Sequence, residues 1–540
     1  MSDSDTAAGI EEQPNIMNHT SAPHTRWSRV NVVESFPGVA KPLAWDFFGE
    51  GANRTWRAMF SAFGLIADGE PMPAGGDTGY LSLFFGRPAT NIDRTFGAMS
   101  LFQGGNASDH ASALFSESAV AGAAATDRAP RKINLAKFEQ YTRDVLGIVA
   151  REHEELRVWW RNQVAPETVA DKPGSARRFL DARRRYESAQ TNHSANSTLC
   201  QQVFSAAMRL AEEVGKPGLA PKLTTGFGDT FDTRSMLELW RVSRREITLA
   251  TYLETYGFQC SFGDDISVES WRENPRSLMS LVETYAKMDQ ASSPLTREHE
   301  RAEERRLAEK EILGALPEER RAAAQALFDD LQESTRIREL GKASYRMAID
   351  GGRAAARARG QELHELGVID DPSDVFFLTQ AEGIEGPIVD FRQTVGERKE
   401  IYDRYVSYDV PVAWTGTPRA TIPATAERDD KPIKGIGASA GVTEGRVCLV
   451  LDHATADDME PGEILVTNTT DPSWGPFFVA AGALVIDIGG QMSHGAIIAR
   501  ELGIPCVINT QDGSRRLKTG DWVRVDGGVG EVTLLEPAHA

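Results

Sequence analysis

The chain has 540 residues, a formal net charge of −19, 41% hydrophobic and 25% charged residues. That length predicts roughly two to four domains. No apolar run approaches the ~20 residues needed to cross a bilayer, and the acidity excludes a clustered basic surface for nucleic acid. Solubility alone accounts for the charge. Cys200, Cys260, Cys448 and Cys506 are scattered, with no CxxC pair and no zinc-ligand spacing. They predict a reducing, cytoplasmic setting and no metal site.

Taken in chain order, residues 1–26 lack the basic and apolar regions of a signal peptide and read as a disordered tail. "WRAMFSAFGLI" predicts a buried helix and "GYLSLFFG" a strand. From Lys132 to Gly367 apolar residues recur at three- and four-residue intervals, in "FEQYTRDVLGIVAREHEELRVWWRNQV" for example, so residues 27–385 read as one α-rich domain. Its most charged stretch begins at "TREHERAEERRLAEKEIL" and is broken by Pro317, the pattern of exposed helices. Residues 386–433, rich in proline toward their end, read as a stiffened linker. Residues 434–540 alternate short β-branched runs with "PFFVAAG" and "AIIARELG", predicting a small α/β domain of β/β/α type.

That last domain contains "ALVIDIGGQMSHGAIIARELG". The apolar run predicts a strand ended by Gly489 and Gly490, and Ser493 and Gly503 suit the start and stop of a helix. His494 then falls at a helix entrance, where free N–H groups and the helix dipole favour an anion. A neutral imidazole there is a competent nucleophile toward phosphorus. A buried capping histidine fits the same pattern, and the residues alone leave both readings open.

"GGQMSHGAIIARELGIPCV" resembles the phosphohistidine signature of the phosphoenolpyruvate-utilising enzyme superfamily, in which the histidine sits on a small swivelling domain. The resemblance implies that His494 is transiently phosphorylated and that Gly490, Ser493 and Gly495 support its loop. Ser493 adjoins the histidine directly, and Gly495 stands where many relatives carry alanine. "RVNVVESFPGVAKPLAWD", "YGFQCSFGDDISVESWRENP" and "RELGKASYR" resemble the acceptor-binding domain of rifampicin phosphotransferase. Phe258, Gln259 and Cys260 replace that family's histidine, arginine and glycine, which implies a changed pocket wall.

Arg338 and Lys342 lie four apart on one helix face and match that family's Arg-x3-Lys element, which borders the phosphohistidine; Arg346 extends the row. A solvated basic face would look the same. Glu34 and His193 are candidates for positioning an acceptor or taking its proton.

No Gly-rich ATP-grasp or Walker sequence and no pyruvate-binding barrel are visible. The expectation is therefore charging from ATP and Mg²⁺ by a partner ATP-grasp subunit, as in two-component aryl phosphotransferases resembling phenylphosphate synthase. The implied reaction is transfer from His494 to a small phenolic acceptor. Two other readings remain: a rifamycin-type antibiotic phosphotransferase, and a phosphocarrier that relays phosphate to another protein.

Overall fold

The computed structural model describes residues 9–30, 32–64, 79–99, 135–422, 431–456, 459–490 and 493–538. Its larger part is helical: α1 (Pro42–Ala62), α2 (Leu135–Gln163), α3 (Ser175–Glu213), α4 (Phe231–Ser243), α5 (Leu249–Tyr256), α6 (Arg276–Lys287), α7 (Pro294–Ala315) and α8 (Glu318–Glu365). Pro317 sits at the N-cap of α8 and separates it from α7, as the sequence predicts.

The 48-residue α8 is the spine, packed lengthwise on α3 and α2. Close approach requires glycine at two of its positions. A Cβ on Gly351 would lie 2.5 Å from the Trp159 ring, and one on Gly352 would lie 2.6 Å from the Phe47 ring. Below them a buried charge cluster pins the spine. Asp350 accepts from Arg353 at 2.6 Å, from Arg272 at 3.2 Å and from the Trp160 indole at 2.8 Å, and Arg353 also reaches Cys260 Sγ at 3.2 Å.

A four-stranded antiparallel sheet, ordered β2 (Leu81–Phe84), β3 (Arg87–Asn91), β1 (Arg26–Ser28) and β4 (Ala413–Thr415), closes one end. It corrects two expectations. Residues 9–26 are no loose tail where they are described: Met17 is fully buried, its carbonyl accepts from Gly86, and Ile10 bridges to Ala420. Residues 386–433 are no bare linker either. They hold helix α9 (Arg392–Val406), with Val395 and Tyr405 buried, and strand β4 paired to β1. The α9 stripe is thin because nearly half of its residues are charged, and the prolines flank β4 without interrupting it. Residues 423–430 of that span, and 1–8 of the tail, lie outside the described residues.

The C-terminal part is a small α/β domain whose eight-stranded sheet runs β5 (Ile433–Lys434), β12 (Glu531–Glu536), β11 (Trp522–Asp526), β7 (Val442–Leu449), β8 (Ile464–Thr467), β9 (Ala483–Ile486), β10 (Cys506–Ile508), β6 (Ile436–Ser439). Edge strands β5 and β6 are separated by Gly435 alone, so the sheet curls until its edges meet. Helices α10 (Gly475–Ala480) and α11 (His494–Leu502) face the helical part. One apolar core runs through both: Met236, Trp240 and Tyr285 join Trp474, Phe477 and Phe478. Thr284 Oγ1 donates to the Met459 carbonyl at 2.8 Å, and the Tyr285 hydroxyl donates to that of Pro476. No helix of the described residues is long and apolar enough to cross a membrane.

Replacing Asp350 by alanine leaves the buried Arg353 and the half-buried Arg272 without their shared partner. The expected cost is about 3–5 kcal/mol, read as a lowered denaturant midpoint at unchanged slope.

Candidate functional site

His494 opens α11 at the contact between the two parts and is 7% exposed. Ser493 occupies the N-cap, as its sequence position predicts, but its side chain makes no cap bond and its buried hydroxyl has no partner. The Glu34 carboxyl lies at this entrance instead, where the backbone N–H of His494 favours its ionised form. An acid from the helical part thus fills the anion site at the helix entrance. Glu34 is held by the loop opposite, where Asp264 N–H donates to the Ser35 carbonyl at 3.0 Å.

The imidazole Nε2 approaches Asp232 Oδ2 at 3.4 Å, inside ion-pair reach but outside hydrogen-bond geometry, so neither ring nitrogen has a hydrogen-bond partner among the described residues. Burial pushes the His494 pKa down despite Asp232, favouring the neutral, nucleophilic ring. Burial also acts on Asp232, in the opposite sense, but His494 and Lys342 outweigh it and keep the carboxyl ionised.

Arg338, Lys342 and Arg346 present one face of α8 to this site. No described residue holds Arg338 or Lys342 in an ion pair. Burial and the neighbouring Arg346 depress the Lys342 pKa. Arg346 differs: it is committed to Asp264 at 3.4 Å and to Asp471 at 3.5 Å, tying the histidine-bearing domain to the helical part. Asp471 is in turn fixed by the N–H of Ser473 at 2.8 Å and its hydroxyl at 2.6 Å. Burial raises Glu34 to about 7, with Lys342 and Arg338 opposing the shift.

His193 stands behind the row. Its Nδ1 lies 3.2 Å from the Arg338 carbonyl, its ring packs on Tyr345, and burial followed by Lys342 and Arg338 pushes its pKa down to about 3. That suits a support for the cation row more than a proton acceptor. Gly490 has open space beside it. Gly495 does not: an alanine methyl would come within 2.5 Å of Ile486 Cδ1 and 2.8 Å of Thr470 Oγ1, so the glycine is a packing requirement in this chain. Phe258 and Cys260 are buried, Phe258 packing edge-on to Trp160 and Cys260 reaching Arg353.

Asp232, Glu339, Glu501 and Asp471 escaped the sequence reading. Glu339 accepts the Asp232 backbone N–H at 3.0 Å, and burial followed by Asp232 lifts its pKa to about 7. Glu501, on α11, is raised strongly by burial, then by Glu339 and Asp232. Both had a signal, since Glu339 lies inside "RELGK" and Glu501 inside "ARELG". Nothing in either string announces that they meet.

Residues 459–530 match the mobile domain of PEP-utilising enzymes, and residues 245–339 match the fourth domain of rifampicin phosphotransferase. In its C-terminal domain the chain is similar to the superfamily of phosphoenolpyruvate-utilising enzymes. Within that superfamily it is similar to rifampicin phosphotransferases: 33% identical over 74% of this chain and 46% of the Streptomyces sviceus protein, 36% over 53% and 34% for one from a Streptomyces species, and 29% over 54% and 35% for that of Bacillus subtilis. The chain spans less than half the length of these relatives.

The Glu339–Glu501 contact makes stability depend on pH. Both carboxyls have folded values above the unfolded ~4.3, so their contribution is intact in acid and is lost as pH rises, through about 7 for Glu339. Thermal unfolding between pH 5 and pH 8 should show a falling melting temperature. Glu501→Gln should flatten that slope.

Proposed function

We propose that this chain is a phosphotransferase unit that carries a phosphoryl group on His494 and passes it to a hydroxyl of an organic acceptor held by the helical part. The observation that carries the reading is the pair of half-buried cations, Arg338 and Lys342, without carboxylate partners among the described residues beside an imidazole whose nitrogens have no hydrogen-bond partner among them either. A phosphoryl group on the ring supplies the anion they lack.

In the transfer the N–P bond breaks, its electron pair returns to the imidazole, and the acceptor oxygen forms the new P–O bond. Lys342 and Arg338 stabilise the charge spread over the transferring oxygens. The hydroxyl proton goes to Glu34, whose carboxyl near 7 is matched to that task. A phosphoryl group competes with Glu34 for the helix entrance, which frees the carboxylate to turn toward the acceptor. Asp232 orients the ring. The closed apolar contact around Phe478, whose ring lies 6.2 Å from that of His494, keeps water from the phosphoramidate bond.

Charging falls to an ATP-grasp unit outside this chain, using ATP and Mg²⁺. The relatives' names favour a rifamycin-type hydroxyl as acceptor, ahead of a small phenol. The phenol is kept as a second reading because the cavity beside Arg338 offers only about 30 Å³.

Phosphoramidate phosphorylates imidazoles directly and stands in for the charging unit. With the donor and rifampicin or a phenol, the chain should form a phosphate ester at a rate that rises with pH to a plateau at or above 7. Glu34→Gln should lower transfer by about 10²–10⁴-fold and remove that pH step, while His494 still becomes phosphorylated. Lys342→Met should slow transfer by about 10²-fold or more. A Glu34→Gln chain that transfers at the wild-type rate contradicts the assignment of the base.

A further inference from the structure

A second histidine lies at the contact between the two parts. His453 opens a short turn, His453–Thr455, between β7 and β8 and is fully buried. Its ring stacks on Phe477 with centroids 4.8 Å apart, meets Trp474 edge-on at 5.1 Å and faces Trp271 of the helical part at 6.2 Å. Nε2 lies 2.5 Å from Ser473 Oγ, and Ser473 Oγ lies 2.6 Å from Asp471 Oδ1, the oxygen that faces Arg346 at 3.5 Å. Nδ1 has no hydrogen-bond partner among the described residues.

This chain of bonds fixes where the protons sit. Ser473 has one hydroxyl proton and donates it to the Asp471 carboxylate, so its oxygen accepts and Nε2 is the donor. Nδ1 is then a bare lone pair enclosed by aromatic rings. A proton there creates a buried cation with no acceptor. His453 is therefore held neutral while Trp271 covers it, and burial pushes its pKa down.

We propose that His453 is a positioning residue and a proton-sensitive latch: its neutral ring, acting through Ser473, aims Asp471 at Arg346, and a proton on Nδ1 opposes docking of the histidine-bearing domain. His494 is 7% exposed at this contact, so under the function proposed above a phosphoryl donor reaches it only when the contact opens. Opening removes Trp271 and Arg346 from His453 and leaves it with Asp471 and Asp452, whose charges favour a proton. The separated domain therefore takes up a proton at or above the ordinary ~6.5, and closing must release it. Helix α6, packed on the same turn, brings Thr284 and Tyr285, both neutral and bonded to the Met459 and Pro476 carbonyls, while its Lys287 is tied to Glu460 at 2.7 Å. Docking is thus unopposed by this histidine above ~6.5 and weakens as pH falls below it.

Backbone hydrogen exchange at residues 475–480 and 494–502, read by mass spectrometry on the unphosphorylated full chain, reports opening without any transfer. Rates are corrected for the intrinsic pH dependence of exchange. Glu339 and Glu501 titrate in the opposite sense, since docking keeps protons on them. The comparison is therefore with His453→Gln, which retains a donor at the Nε2 position and cannot gain a charge. The two chains should open alike at pH 7.5, and by pH 5.5 wild type should open about tenfold more than the variant. Ser473→Ala, which cuts the chain of bonds, should raise opening by about tenfold at pH 7.5 while retaining a native unfolding transition. A ratio of wild type to His453→Gln that stays constant across this range overturns the latch, as does a Ser473→Ala chain that stays as closed as wild type. A chain that shows the pH dependence but takes no phosphate on His494 from phosphoramidate supports the latch and contradicts the proposed function.

Discussion

The rest of the site depends on how the entrance of one short helix is satisfied. His494 begins α11, its own N-cap serine makes no cap bond, and the Glu34 carboxyl from the far side of the domain contact faces that entrance. A helix entrance is a preformed anion site, and here it can be filled only when the two parts are together. Capping, burial of the imidazole and alignment with the α8 cations are therefore one event. Arg346 enforces it by bridging Asp264 on one side and Asp471 on the other, all three buried.

Charge at this contact is balanced unevenly. Asp232, Glu339, Glu501, Glu34, Asp264 and Asp471 converge there, against Arg338, Lys342 and Arg346. Burial of so many carboxylates costs free energy that the contact recovers by keeping protons on Glu339 and Glu501 and by packing Trp474, Phe477 and Phe478 against Met236, Trp240 and Tyr285. Asp232 lies against His494, Asp264 and Asp471 lie against Arg346, and Arg338 and Lys342 face the ring. A doubly charged phosphoryl group adds to the negative side, so its arrival changes which carboxyls hold protons.

His494, Gly503 and the helix between them were legible because strand, glycine turn, cap and stop follow each other along residues 483–503. The Arg338, Lys342 and Arg346 row was legible from its four-residue spacing, although spacing alone could not tell a buried face from a solvated one. Asp232, Glu339, Glu501 and Asp471 were not legible, since each comes from a separate element and meets the others only through tertiary docking. The strands near Arg26 and Ala413 were missed for a related reason: three residues in each, paired across nearly four hundred positions, leave no periodic trace. Gly495 shows the same limit in packing, because its clash with Ile486 and Thr470 is visible only once α11 lies on β9 and its loop.

The central claim is that one histidine among ten carries the phosphoryl group to the α8 cations. Mapping the phosphorylated residue by mass spectrometry under alkaline conditions, after a single exposure to a histidine-directed phosphoryl donor, tests it most directly. The account predicts acid-labile phosphate on His494, absent from His494→Ala. Label on another histidine with His494 unmodified contradicts it.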